Sequence, residues 1–251
     1  MSLADYCSNK VFEEIHVVFV EPLYEQNIGF IARSMKNFCL KNLILVNPRC
    51  NIGIETIKYS MHARNIIENV KIKSSLKEIV DEYDFVACST GKKGLSPVRR
   101  HVDAEDLAKR MVQYSGKKAL VIGREDIGLT NDELKLCDIV VTIEANPEYP
   151  ILNASHAAAI LFYEIFKNSI KIAGRVERPK RSEIIAFLDY FEELGRILGY
   201  SDERIERGKI MLRRLIGEGS MTKNDLRLLF GYIRKSYEMI TTCCFDKSNP
   251  K

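Results

Sequence analysis

Five apolar stretches recur through the first part of the chain, at residues 15–20, 43–46, 85–88, 119–122 and 139–143. They show little polar alternation, which is the pattern of strands in a parallel sheet covered on both faces. Residues 70–72 predict a short sixth strand. Helical patterns fill the gaps. Ile28, Ile31, Met35 and Phe38 fall at helical spacing and form one apolar face. Residues 76–82 and 104–113 also read as helices, the second entered through Asp103 as its N-cap. Asn131-Asp132-Glu133 opens another, and the Ala- and Leu-rich run 153–167 predicts a long closing helix. Alternating β and α elements imply an α/β fold with a parallel sheet.

The pattern changes near Gly174. Gly174-Arg175-Val176-Glu177-Arg178-Pro179-Lys180 reads as a polar linker. No strand pattern follows it. Three helices are expected instead, over 182–198, 202–216 and 222–241, with Ser182 and Thr222 as caps and Gly199, Gly217 and Gly219 as stops. The expected division is an α/β domain over 1–173, a linker over 174–181 and a helical domain over 182–251.

Composition narrows the function classes. The chain has 251 residues, 46% of them hydrophobic, and no apolar run near the ~18 residues of a membrane span. The first residues lack a basic-then-apolar signal pattern, so a cytoplasmic protein is expected. Its seven cysteines form no CxxC pair, and reduced thiols are the expectation. Four dispersed histidines suggest no metal site. The net charge of +4 is uneven: residues 171–251 hold 17 Lys and Arg against 12 Asp and Glu, while residues 1–170 hold 21 against 22. A basic tail on a neutral main domain points to a polyanionic partner, or to a solvated helical surface.

Three segments carry candidate chemistry, each following an expected strand. In Asn27-Ile28-Gly29-Phe30-Ile31-Ala32-Arg33, Asn27 suits a helix cap and Gly29 admits a close neighbour. Arg33 sits about 120° around the helix from Asn27. Its planar fork suits a phosphate, and a surface salt bridge is the plainer alternative. In Gly123-Arg124-Glu125-Asp126-Ile127-Gly128-Leu129, Gly123 leaves room at a strand end, where open α/β sheets bind ligands. Glu125 can accept from a hydroxyl or amine, or orient Arg33, and Gly128 suits a positive φ. The segment is neither a dinucleotide fingerprint nor a P-loop. The third segment, Pro150-Ile151-Leu152-Asn153-Ala154-Ser155, leads into a helix N-terminus. Free N–H groups there suit a carboxylate or ribose oxygen, though Asn153 and Ser155 also read as simple caps. A fourth loop, 89–101, holds Lys92, Lys93, Arg99 and Arg100 beside two glycines and suits phosphates. His16, His62 and His101 read as structural or surface residues, and His156 falls beside the third segment.

Together these segments resemble the SPOUT class of S-adenosylmethionine-dependent RNA methyltransferases, in its TrmH/TrmJ branch of ribose 2′-O-methyltransferases. The matching residues are Asn27, Gly29 and Arg33; Gly123, Glu125, Gly128 and Leu129; and Pro150, Leu152, Asn153 and Ser155. Asn146-Pro147-Glu148-Tyr149 and Met221-Thr222-Lys223-Asn224-Asp225-Leu226-Arg227 look like the TrmJ subgroup. Some TrmJ proteins carry a serine early in the third motif, where this chain has Pro150-Ile151; Ser155 follows the TrmH pattern.

The resemblance implies a trefoil knot in the first domain, a homodimer, and methylation of the ribose at position 32 of the tRNA anticodon loop. It implies S-adenosyl-L-methionine held by Ser89, Thr90, Gly91, Gly123, Ile143, Pro150, Ile151, Leu152 and Asn153. Arg33 would assist catalysis, helped by Glu125, Ser155 and Asn27, with no metal. Basic residues of the tail, Arg207 and Arg214 on one helix face, would dock tRNA with the fourth loop's cations. The rival readings are a base methyltransferase of the same class, action on another tRNA or rRNA site, and a non-catalytic RNA-binding protein with the same fold.

Overall fold

The computed structural model describes residues 7–91, 101–171, 177–219 and 221–246. Their contacts divide into one unit ending at Val176 and another beginning at Glu177.

The first unit is a six-stranded, fully parallel sheet in the order β3-β2-β1-β5-β4-β6. The strands are β1 (Ile15–Val20), β2 (Asn42–Val46), β3 (Lys71–Lys73), β4 (Phe85–Ser89), β5 (Lys118–Ile122) and β6 (Ile139–Val141). Helices α1 (Lys10–Glu14), α2 (Glu25–Asn37), α3 (Ile54–Ser60), α4 (Arg64–Glu68), α5 (Leu76–Val80), α6 (Ala104–Gln113), α7 (Asn131–Lys135) and α8 (Ala154–Lys171) connect or flank them.

The period of two along each strand divides the core into two layers. Val17, Phe19, Leu43, Leu45, Leu120 and Ile122 face Ile28, Ile31 and Met35 of α2, Met111 of α6, and Leu161, Phe162 and Ile165 of α8. Val18, Val20, Ile44, Val46, Ala119 and Val121 face Leu76, Ile79 and Val80 of α5 and Leu134 of α7. Burial on both faces explains why the strands read as continuous apolar runs.

The end of β6 has neighbours on both sides. Val141 is paired in the sheet with Ser89 and bridges to Val102. Thr90 N–H donates to the Val141 carbonyl at 2.9 Å, and Thr142 N–H donates to the Val102 carbonyl at 3.0 Å. The strand therefore lies between the two ends of the connection that leaves β4.

Several elements differ from expectation. Helices α1, α3 and α4 carried no clear period: they are short, and Ile54, Ile57 and Met61, the last in the 3-10 turn that follows α3, are exposed rather than turned inward. Asn27 does not cap α2. That helix begins two residues earlier, at Glu25. The cysteines also depart from the expected reduced state. Cys7 is bonded to Cys39, and Cys88 to Cys137. Sequence separations of 32 and 49 form no motif, and only the fold brings these sulfurs together.

The second unit contains α9 (Arg181–Ile197), α10 (Asp202–Glu218) and α11 (Lys223–Asp246). Its core joins Ile184, Phe187, Leu188, Ile216 and Leu226. Gly199 ends α9 with φ of +75°, the left-handed conformation that glycine adopts most readily.

Candidate active site

A cleft opens over the carboxyl ends of β5, β4 and β6, as the rule for open α/β sheets requires. Three loops line it: Ser89, Thr90 and Gly91 from the end of β4; residues 123–129 after β5; and Ile143 with Pro150, Ile151 and Leu152 after β6. Ala154, Ala157 and Leu161 of α8 close one side. Eight of the nine residues expected around a methyl donor thus converge. Asn153 does not line the cleft.

The second loop is shaped by close backbone contact. Gly128 has φ of +69°, and a β-carbon on Gly123 would lie 2.6 Å from the Gly128 carbonyl carbon and 2.7 Å from the Leu129 nitrogen. Gly123 therefore lets the loop fold onto its own start. Gly29 has a related use elsewhere: a β-carbon there would meet the Thr56 carbonyl oxygen and the Tyr59 β-carbon at 2.7 Å each. It admits α3 against α2 rather than a ligand.

Glu125 reaches out of the cleft to the start of α2. Its carboxylate accepts from Leu23 N–H at 3.0 Å, from Tyr24 N–H at 3.4 Å and from the Asn27 side-chain amide at 3.0 Å. A carboxylate there satisfies free donors and faces the positive end of the helix dipole. Asn27 and Glu125 are therefore brought together, and neither contacts Arg33 through a hydrogen bond. Arg33 is exposed on α2 and does not line the cleft. Among the described residues its side chain has no hydrogen-bond or ion-pair partner, so the plainer alternative of a salt bridge is not seen there.

Arg124, which sequence reasoning passed over, is the best-connected side chain of the site. Its guanidinium binds both Glu133 oxygens at 2.9 Å, a Glu21 oxygen at 2.6 Å and the Gly128 carbonyl at 3.1 Å. Hydrogen bonding by Arg124, and then by Arg49, holds the Glu21 carboxyl below its ordinary pKa. One signal for this network was legible: Thr130 and Glu133 form a capping box on α7. The contribution of Glu21 was not, since it comes from a different loop.

The third segment behaves as its plainer reading suggested. Asn153 Oδ1 accepts from Ser155 N–H at 2.8 Å and from the Ser155 hydroxyl at 2.7 Å, which caps α8. Ser155 is buried. Of the residues assigned to RNA, Arg207 is exposed. Arg214 is a correction: it shares the helix face of Arg207 but is only 4% exposed, because that face is covered toward the end of α10. Lys92, Lys93, Arg99 and Arg100 lie outside the described residues. Among the described residues no group of His, Cys, Asp and Glu is arranged to hold a metal ion, and no helix is long and apolar enough to cross a membrane.

What the cleft offers a ligand is mainly apolar side chains, Ile122, Leu129, Val141, Ile143, Ile151, Leu152 and Leu161, with backbone exposed at glycines. Its two best-placed charged groups, Arg124 and Glu125, are already paired. Such a lining suits a flat, largely uncharged ring system recognised by backbone groups.

A parallel sheet with this strand-end cleft defines a class of α/β ligand-binding proteins. Residues 14–163 match the SpoU rRNA Methylase family, and the chain belongs to that family. It is 32% identical to the tRNA (cytidine-2'-O-)-methyltransferase TrmJ of Methanocaldococcus jannaschii, over 84% of this chain and 94% of that protein. The crystal structure of TrmJ from Z. mobilis ZM4 superposes with a TM-score of 0.67 at 25% identity, over 88% of this chain and 97% of that one. The SpoU methyltransferase AviRb from Streptomyces viridochromogenes, solved in complex with the cofactor AdoMet, shares the fold with a TM-score of 0.52 at 22% identity, over 62% of this chain and 61% of that one.

Proposed function

We propose that this chain transfers a methyl group from S-adenosyl-L-methionine to a ribose 2′-hydroxyl of tRNA, at position 32 of the anticodon loop. The observation that carries this reading is the convergence of three loops on one strand-end cleft, in a family of RNA methylases. The lining fits the donor: apolar walls for an adenine ring, beside a loop that Gly123 lets fold tightly onto its own start. When bound, the donor supplies a methyl group on a sulfonium, already activated for displacement.

The residues of the chain must then place the hydroxyl and lower the cost of removing its proton. Arg33 is the catalytic residue in this reading. A guanidinium is a lasting cation and cannot serve as a simple base. It instead holds the substrate phosphate and stabilises negative charge growing on the 2′-oxygen. Glu125 and Asn27 act as positioning residues by fixing the start of the helix that bears Arg33. Asn153 and Ser155 fix the helix entrance beside the cleft.

A trefoil knot belongs to the same proposal. The placement of β6 between Ser89 and Val102 supports it, because a strand lying between the two ends of a connection is the geometry of a threaded chain. A homodimer is proposed as well. Phe30 and Arg33 on α2 are exposed, as are Ile160, Tyr163 and Ile170 at helical spacing on the neighbouring α8. A second copy that covers the apolar residues would bring Arg33 toward a donor cleft. Residues 182–251 would dock tRNA through Arg207, aided by the cations of loop 92–100. A cytoplasmic location follows from the substrate.

The test is methylation of unfractionated tRNA with labelled donor, followed by nuclease mapping. The expected product is an alkali-resistant dinucleotide containing position 32. Label on a base, or transfer to ribosomal RNA alone, would refute the assignment.

A further inference from the structure

The helical unit contains a second hollow, of about 380 Å³, within the ~300–1,000 Å³ range of small-ligand sites. Glycines set its floor. A β-carbon on Gly208 would lie 2.8 Å from the Phe191 ring, and one on Gly195 would lie 2.9 Å from Ile205. The lip is half open to solvent: Leu198, Tyr200 and Met211 are 51%, 45% and 46% exposed. The Arg204 guanidinium stacks over Tyr200, 4.2 Å from the ring centroid, and Arg207 stands on the same rim. Among the described residues neither arginine has an acidic partner.

An apolar floor, a stacked aromatic–guanidinium pair and two unpaired cations together match an unstacked nucleotide. Its base would lie on the aromatic face and its phosphates on the arginines. An apolar protein segment would satisfy the floor and leave both charges without partners, and the excess of Lys and Arg over Asp and Glu in residues 171–251 favours a polyanion. We propose that this hollow receives one unpaired nucleotide of the substrate tRNA, apart from the nucleotide that is methylated. The inference rests on the tRNA methyltransferase reading above and adds a recognition site to it.

The chain has no tryptophan, so Leu198→Trp in the 251-residue chain places a single indole on the lip. Titration with unfractionated tRNA is expected to quench its emission with the midpoint seen in filter binding. Heparin, a polyanion without bases, is expected to bind without quenching. Tyr200→Ala is expected to weaken tRNA binding roughly 5- to 100-fold. S-adenosylhomocysteine affinity and the far-UV circular dichroism should stay unchanged. Arg207→Gln is expected to lower the slope of log affinity against log salt by about 0.7.

Saturating tRNA binding without quenching, together with unchanged affinity of Tyr200→Ala, would overturn the proposal. A change in sedimentation of the variants at intact tRNA affinity would also overturn it, and would assign the hollow to a protein contact. Failure of the unsubstituted chain to methylate tRNA strikes the functional reading instead, and a separate assay reads it.

Discussion

In the strand-end cleft two of the three charged side chains are already engaged, Arg124 with Glu21 and Glu133, and Glu125 with the start of α2. On the outer face of α2, ten residues or fewer from that anchor, Arg33 stands exposed with no side-chain partner among the described residues. The difference separates two tasks. A cleft whose Arg124 and Glu125 are already engaged holds a ligand mainly by shape and backbone, with Asp126 at its exposed edge. An arginine without an internal partner keeps its full capacity for phosphate or for charge that develops during reaction. Glu125 links the two regions: it belongs to the cleft loop and fixes the helix that carries Arg33.

The contrast can be broken at several points, the largest effect first. Arg33→Ala is expected to reduce kcat by about 100- to 1,000-fold while S-adenosylhomocysteine binds as before by calorimetry; normal turnover would remove Arg33 from the mechanism. Glu125→Ala leaves the donors at Leu23, Tyr24 and Asn27 without an acceptor and should cost ~2–3 kcal/mol of stability in urea unfolding. Glu125→Gln keeps an acceptor oxygen and should recover part of that stability together with part of kcat; a proton-transfer role for the carboxylate would leave kcat low while stability recovers.

Gly29→Ala tests the inner face of α2. The clash with Thr56 and Tyr59 should cost about 1–3 kcal/mol and leave the donor affinity unchanged.

His16 gives a smaller effect, far from the cleft. It sits 2.8 Å from the Tyr83 hydroxyl, and burial, then Lys117, lowers its pKa to about 4 from an ordinary 6.5. The unfolded chain therefore takes up a proton between pH 6.5 and 4 that the folded chain refuses. Stability is full above pH 6.5, falls as the pH drops through that window, and levels off below it. After discounting for solvent screening of a partly exposed ring, the loss is ~1–2 kcal/mol. Urea unfolding of His16→Gln should show a flatter profile over the same window. Smallest is Ser155→Ala, expected to cost ~1 kcal/mol as a cap contact; a large fall in kcat would instead make Ser155 catalytic.

The sequence by itself determined the alternation of strands and helices, because burial on both faces writes each strand as an apolar run and each amphipathic helix as a period near 3.6. It also determined the positive φ at Gly128 and the cap at Thr222, both local events within a few residues. Three loops after strands 4, 5 and 6 could be named in advance, since ligands gather at carboxyl ends in this architecture. Tertiary structure decided what links residues about a hundred positions apart. Glu125 meets Leu23 and Asn27, and Arg124 meets Glu21, only because β5 inserts beside β1. It also decided that Arg207 stays exposed while Arg214, on the same helix face, is buried. A period along one helix cannot report where another element covers it, and that covering separates an exposed cation from one held inside the fold.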